Sequence, residues 1–191
     1  IMKNEPVGST WKKWDLHVHT PSSVVHNYPG TNEEAWEAFL LDLEALPPEF
    51  KVIGINDYIF IEGYERVRKA KMDQGRLANI DLILPVIELR LDKFAGVVKK
   101  SKDGSYSQSD WNRINLHVIF DALEPEIIRQ QFLGSLFASY DLVPDSTNMK
   151  GKWKGAITRD SLTELGQMII DAAPADKKAD YASPLEEGFN N

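Results

Sequence analysis

Three short apolar runs alternate with two stretches of helical periodicity, and this alternation leaves the chain few architectures. Residues 13–20 carry Leu16 and Val18, residues 51–56 carry Val52, Ile53 and Ile55, and residues 81–91 run Leu82-Ile83-Leu84-Pro85-Val86-Ile87-Glu88-Leu89-Arg90-Leu91. The first spacer opens with Thr31-Asn32-Glu33-Glu34, Thr three before Glu in the order of a capping box. It then places Trp36, Phe39, Leu40, Leu43 and Leu46 on one stripe and stops at Pro47-Pro48. The second spacer, residues 61–74, aligns Tyr64, Val67 and Lys71 along one side, and Gly75 suits its C-terminal cap. Short buried strands alternating with helices predict an α/β fold with parallel strands, in a sheet or a barrel with the helices outside.

The remaining segments divide less sharply. Pro85 within the third apolar run predicts a strand start or a bulge. Residues 99–110 read as a polar loop, and residues 113–121 as a fourth strand. A helix opens at Glu124-Pro125-Glu126, with proline at the tolerated first turn and Ile127, Ile128, Phe132, Leu136 and Phe137 as its core face. Residues 141–157 read as a loop rich in Gly and Lys, and residues 158–173 as a helix carrying Leu162, Leu165, Met168 and Ile169. The expected organisation is a leader at 1–12, one domain at 13–173 and a weakly ordered tail at 174–191. The chain starts at Ile1 and ends Gly188-Phe189-Asn190-Asn191, which is compatible with an excised fragment as well as with a whole protein.

Parallel α/β sheets carry functional groups at the C-terminal ends of their strands, and the polar residues fall there. His17 and His19 end the first strand, two apart and therefore on one face. Neutral imidazole is a common metal ligand, although two hydrogen-bonding histidines at a strand end would share this spacing. Asp57 ends the second strand as a ligand, a base for an attacking water, or a cap for the next helix. Glu88 lies late in the third strand and His117 within the fourth. Asp15 is placed to orient a ligand histidine.

These residues stand in four ordered segments: Asp15-Leu16-His17-Val18-His19-Thr20, Ile55-Asn56-Asp57-Tyr58 with Gly63-Tyr64, Leu84-Pro85-Val86-Ile87-Glu88-Leu89-Arg90, and Asn115-Leu116-His117-Val118-Ile119-Phe120-Asp121. Together they resemble a PHP domain (polymerase and histidinol phosphatase). The resemblance implies a distorted β/α barrel, incomplete in this chain, holding two or three divalent ions (zinc, manganese or iron) at its strand ends. It implies His17, His19, His26, Asp57, Glu88 and His117 as metal ligands, with Glu88 bridging two ions and Asp57 and Glu88 serving catalysis. The implied activity is hydrolysis of a phosphate ester, nucleic acid included. The alternative is a catalytically impaired domain serving as a structural or nucleic-acid-docking module of a larger ATPase-containing protein. Two departures stand out. Tyr58 occupies a position where the family carries histidine, and a phenol with a pKa of about 10 is a poor neutral-pH ligand. The family's late histidines have no counterpart, because His117 is the last histidine of the chain. His26, in the loop after the first segment, reads equally as a ligand or as an exposed side chain.

Composition narrows the chemistry further. With no cysteine, any metal must be held by His, Asp, Glu or water, and a cytoplasmic setting is compatible. A net charge of -7 repels phosphate backbones at long range. Two basic stretches, residues 99–102 and 150–154, offer local docking, with Lys152 and Lys154 contacting phosphates and Trp153 stacking on a base, or are simply solvated loops. Arg90 is either a phosphate fork or an outward strand residue. No Walker-type glycine loop is present, and no apolar run approaches the roughly 18–20 residues of a membrane span.

Overall fold

A computed structural model describes residues 11–141 and 152–190. The expected leader lies almost wholly outside them, as do Lys150 and Gly151. The fold is mixed α/β. Its strands form a four-stranded sheet in the order β1-β2-β3-β4 and a two-stranded sheet β5-β6. Among the described residues the larger sheet is open, and no helix is long and apolar enough to cross a membrane. The chain divides into two compact units, the first comprising Ile1–Asp57, Ile61–Val86 and Ile119–Ala122, the second Tyr58–Phe60, Ile87–Val118 and Leu123–Asn191.

The first unit follows the sequence expectation. Strand β1 (Lys13–Val18), helix α1 (Asn32–Glu44), strand β2 (Phe50–Asn56), helix α2 (Glu62–Gln74) and the start of strand β3 (Leu82–Lys100) succeed one another. Strands β1, β2 and β3 pair in parallel. The Thr31 capping box forms as its residues predict, with the Thr31 side chain and the Glu34 side chain each accepting the other's backbone N–H. Trp36, Phe39, Leu40 and Leu43 of α1 pack with Ile53 and Ile55 of β2 and Tyr64, Val67 and Ala70 of α2 in one core. Each large side chain so buried contributes roughly 1.5–3 kcal/mol. Gly75 caps α2 in the left-handed region at φ 69°, where a Cβ would be strained.

Pro85 corrects one expectation. It neither starts the strand nor bulges it, because the β2–β3 register advances one for one from Val52↔Leu82 to Asn56↔Val86. Its carbonyl accepts the Phe120 N–H at 3.1 Å, so its missing N–H faces the same way, just beyond the end of strand β4 (Tyr106–Ile119). No ladder bond to β2 is lost there.

The second unit departs from expectation in four places. Residues 99–110 are not a loop: β3 runs to Lys100, turns at residues 101–105 and returns as β4. Ser101 N–H to Ser105 carbonyl and Gly104 N–H to Ser101 carbonyl close that turn, and so short a connection requires an antiparallel pair. Helix α3 is only Pro125–Gln131, and Phe137, expected in its core face, is 67% exposed. Phe137, expected in that helix, begins strand β5 (Phe137–Asp141), and residues 152–156, expected in a loop, form strand β6 (Lys152–Ala156), which pairs with it antiparallel. Helix α4 (Arg159–Ala172) forms as expected with a Thr158 cap. The tail instead forms helix α5 (Pro184–Asn190). Gly166 of α4 and Gly188 of α5 let these two helices touch backbone to backbone, since a Cβ at either would overlap the carbonyl of Pro184 or of Leu162.

Candidate metal centre

In the first unit the site begins with an irregularity in β1. Asp15 pairs with Ile53 but Val18 with Ile55, so three steps along β1 oppose two along β2, as in a β-bulge. Asp15 Oδ1 accepts the backbone N–H of His17 at 3.1 Å. Asp15 thus steadies the irregular main chain rather than gripping an imidazole ring. His17 and His19 emerge on one face as their spacing predicts, with Nε2 atoms 3.1 Å apart and ring centroids 4.9 Å apart. His17 is exposed and His19 half-buried. The second ring nitrogen of His19, Nδ1, lies 3.3 Å from the hydroxyl of buried Ser23, which fixes the ring's rotation.

The spacing of the two Nε2 atoms can be tested against a metal. Two nitrogens held about 2.0–2.1 Å from a tetrahedral ion stand about 3.3 Å apart, close to the observed 3.1 Å. The pair therefore matches the bite of a single divalent cation. A His–His hydrogen bond has the same reach, and then one ring must donate and the other accept.

Asp57 closes the end of β2. Fully buried, it accepts the Thr20 N–H at Oδ1 (2.8 Å) and the Thr20 hydroxyl at Oδ2 (2.6 Å). The carboxylate thereby ties the strand end that bears His19 to the end of β2. Gly63 of α2 lies directly on this pair, and a Cβ there would overlap both the Asp57 carboxylate and the Thr20 hydroxyl. Thr20 and Ser23 were not singled out from the sequence, where they look like ordinary turn residues after the His-x-His run. His26 is exposed in the connection between β1 and α1.

In the second unit Glu88 is buried at 2% exposure. Its Oε1 accepts the Asn115 side-chain N–H at 2.5 Å, and its Oε2 lies 3.5 Å from Nε2 of His117. Asn115 and His117 stand two apart on β4, so the period that selects His117 also selects Asn115. A carboxylate taken this far from water requires compensating partners, and this one has a neutral amide and an imidazole. The Glu88 N–H donates to the Tyr58 carbonyl at 2.8 Å. Tyr58 itself sits in the left-handed region at φ 62°, a conformation that costs a bulky residue on the order of 1–3 kcal/mol. Its ring packs on Phe189 at 4.4 Å, so it is a packing residue here. Arg90 is exposed and donates to Asn190. Trp153 is 7% exposed, which removes it as a stacking platform for a base.

Comparison of the chain with protein-family models, with curated proteins and with solved structures finds no match.

Proposed function

We propose that this protein is a metal-dependent phosphoesterase of the PHP type, with His17 and His19 of the first unit and Glu88 of the second as the donors that the family resemblance implies for divalent cations. The observation that carries the reading is the His17–His19 pair, whose 3.1 Å Nε2 separation at a strand end suits one ion. Glu88 follows two residues after Val86, the partner of Asn56, on the continuous strand β3. In this reading it bridges to a second ion with His117 beside it, and the strands belong to an incomplete barrel. Zinc, manganese or iron bound there would polarise a phosphoryl oxygen and lower the pKa of an attacking water. Ser23 orients His19, Asn115 orients Glu88, and the Asp57–Thr20 tie holds the end of β1. Asp57 acts here through position, tying the chain after His19 to the end of β2 through Thr20. His26, exposed beyond β1, stands outside this donor set as the structure places it. The substrate is a phosphate ester, with nucleic acid as one candidate.

A second reading has one observation in its favour. Tyr58 packs on Phe189 where the family would place a ligand, which suits a domain that has lost turnover and serves a larger protein as a structural or nucleic-acid-docking module.

Elemental analysis after manganese or zinc loading, paired with hydrolysis of an aryl phosphate, separates the two. The enzyme reading expects bound metal and turnover, both abolished by His17→Ala with His19→Ala, and a Glu88→Gln variant that loses activity more than stability. Bound metal without turnover gives the second reading. Protein that takes up no metal, or double-variant activity equal to the parent's, ends the proposal.

A further inference from the structure

We propose that the second unit carries a binding site for a small ring compound bearing an anionic group, phenyl phosphate being the simplest example. The site is a cavity of about 140 Å³ whose apolar walls include Ile59, Trp153, Leu162 and Phe189, with Arg90 of β3 and Arg113 of β4 among its lining residues. A dry cavity of about 150 Å³ accepts benzene, so this one fits a single six-membered ring.

The anionic requirement comes from the two arginines. They reach from neighbouring strands to one residue: Arg90 Nη1 donates to Asn190 Oδ1 at 2.6 Å, and Arg113 Nη1 to the Asn190 carbonyl at 3.0 Å. A guanidinium offers five N–H donors in a rigid fork, and here each fork meets only a neutral acceptor. Arg66, Arg76 and Arg129 each reach a glutamate. Among the described residues Arg90 and Arg113 have no carboxylate partner, in a chain whose acids outnumber its bases by seven. The Phe189 ring lies 5.0 Å from the Arg90 guanidinium and that of Phe94 5.4 Å from Arg113, which steadies both forks. Two convergent forks beside an apolar cavity select an oxyanion carried on an apolar body. Phosphate and carboxylate share that chemistry, and a dianionic phosphate matches the two charges better. The anion displaces Asn190 from both guanidinium groups while the ring enters among Ile59, Trp153 and Leu162. This site belongs to the second unit alone and does not depend on the metal proposal.

The test is calorimetric titration of the full chain kept in EDTA, so that loss of the metal reading leaves it untouched and phenyl phosphate is not consumed. Phenyl phosphate should bind at least tenfold more tightly than inorganic phosphate, which lacks the ring, and than benzyl alcohol, which lacks the charge. Benzoate serves as the second anionic arm, and the tighter of the two anions names the natural group. Arg90→Gln and Arg113→Gln, each with an unchanged melting temperature, should weaken binding by about tenfold or more. Arg90→Lys, which keeps the charge without the fork, should fall between. Absence of binding, equal affinity for benzyl alcohol, or glutamine variants that bind as the parent does would overturn the proposal.

Discussion

Asp57 shows how much one buried carboxylate decides locally. Both its oxygens accept from Thr20, and the missing side chain of Gly63 gives them room. Gly63→Ala should therefore destabilise the protein by about 1–3 kcal/mol, the usual range for overpacking, seen as a lower urea midpoint with an unchanged slope. An alanine as stable as the parent would mean that α2 shifts freely away from Asp57. Sequence reasoning selected Asp57 and the Gly63-Tyr64 pair but not the cause that joins them. That cause is a contact between residues 20, 57 and 63, and no local period reports it. The His17–His19 face was legible for the opposite reason, since it needs only the two-residue repeat of a strand.

Helices α1 and α2 were legible because stripe, cap and stop signals are all local. The same elements supply a pH-dependent link. Arg76, just beyond α2, donates to Glu44 of α1 through Nε and Nη2 at 3.0 and 2.9 Å and to Glu37 through Nη1 at 2.6 Å. The hydrogen bonds from Arg76 hold the Glu44 carboxyl below its ordinary value, with burial opposing them. A carboxyl lowered on folding binds its proton more readily in the unfolded chain. The contribution is intact above the ordinary glutamate value of about 4.3 and is lost as pH falls through the lower folded value. Glu44→Gln should cost about 1 kcal/mol at neutral pH and flatten the acid limb of melting temperature against pH. A limb as steep as the parent's would assign the acid response to other carboxylates.

The β3–β4 ribbon was legible only at its base, in residues 82–91 and 113–119. Its sequence between residues 92 and 112 is polar and serine-rich, and Phe94, Val97, Val98 and Trp111 are exposed on it, so no alternation of buried and exposed residues marks the strands. Helix α5 was hidden differently. It is seven residues long and depends on the glycine contact with α4, a tertiary effect that overrides weak local propensity.

Across the whole chain the unit boundary falls within β3, between Val86 and Ile87, so one unbroken strand supplies backbone to both units. Removing the ladder on either side of that point leaves polar groups of the same strand unpaired, which favours a single cooperative transition. The five tryptophans are placed to observe it: Trp36 is 1% exposed in the first unit and Trp153 7% exposed in the second, whereas Trp11, Trp14 and Trp111 are at least half exposed. Labelling with 5-fluorotryptophan should give two fluorine signals that vanish together in urea, and separated midpoints would show that the units melt independently. The two buried indoles make the protein its own pair of spectroscopic gauges, one for each half, with three solvent-facing indoles as internal references.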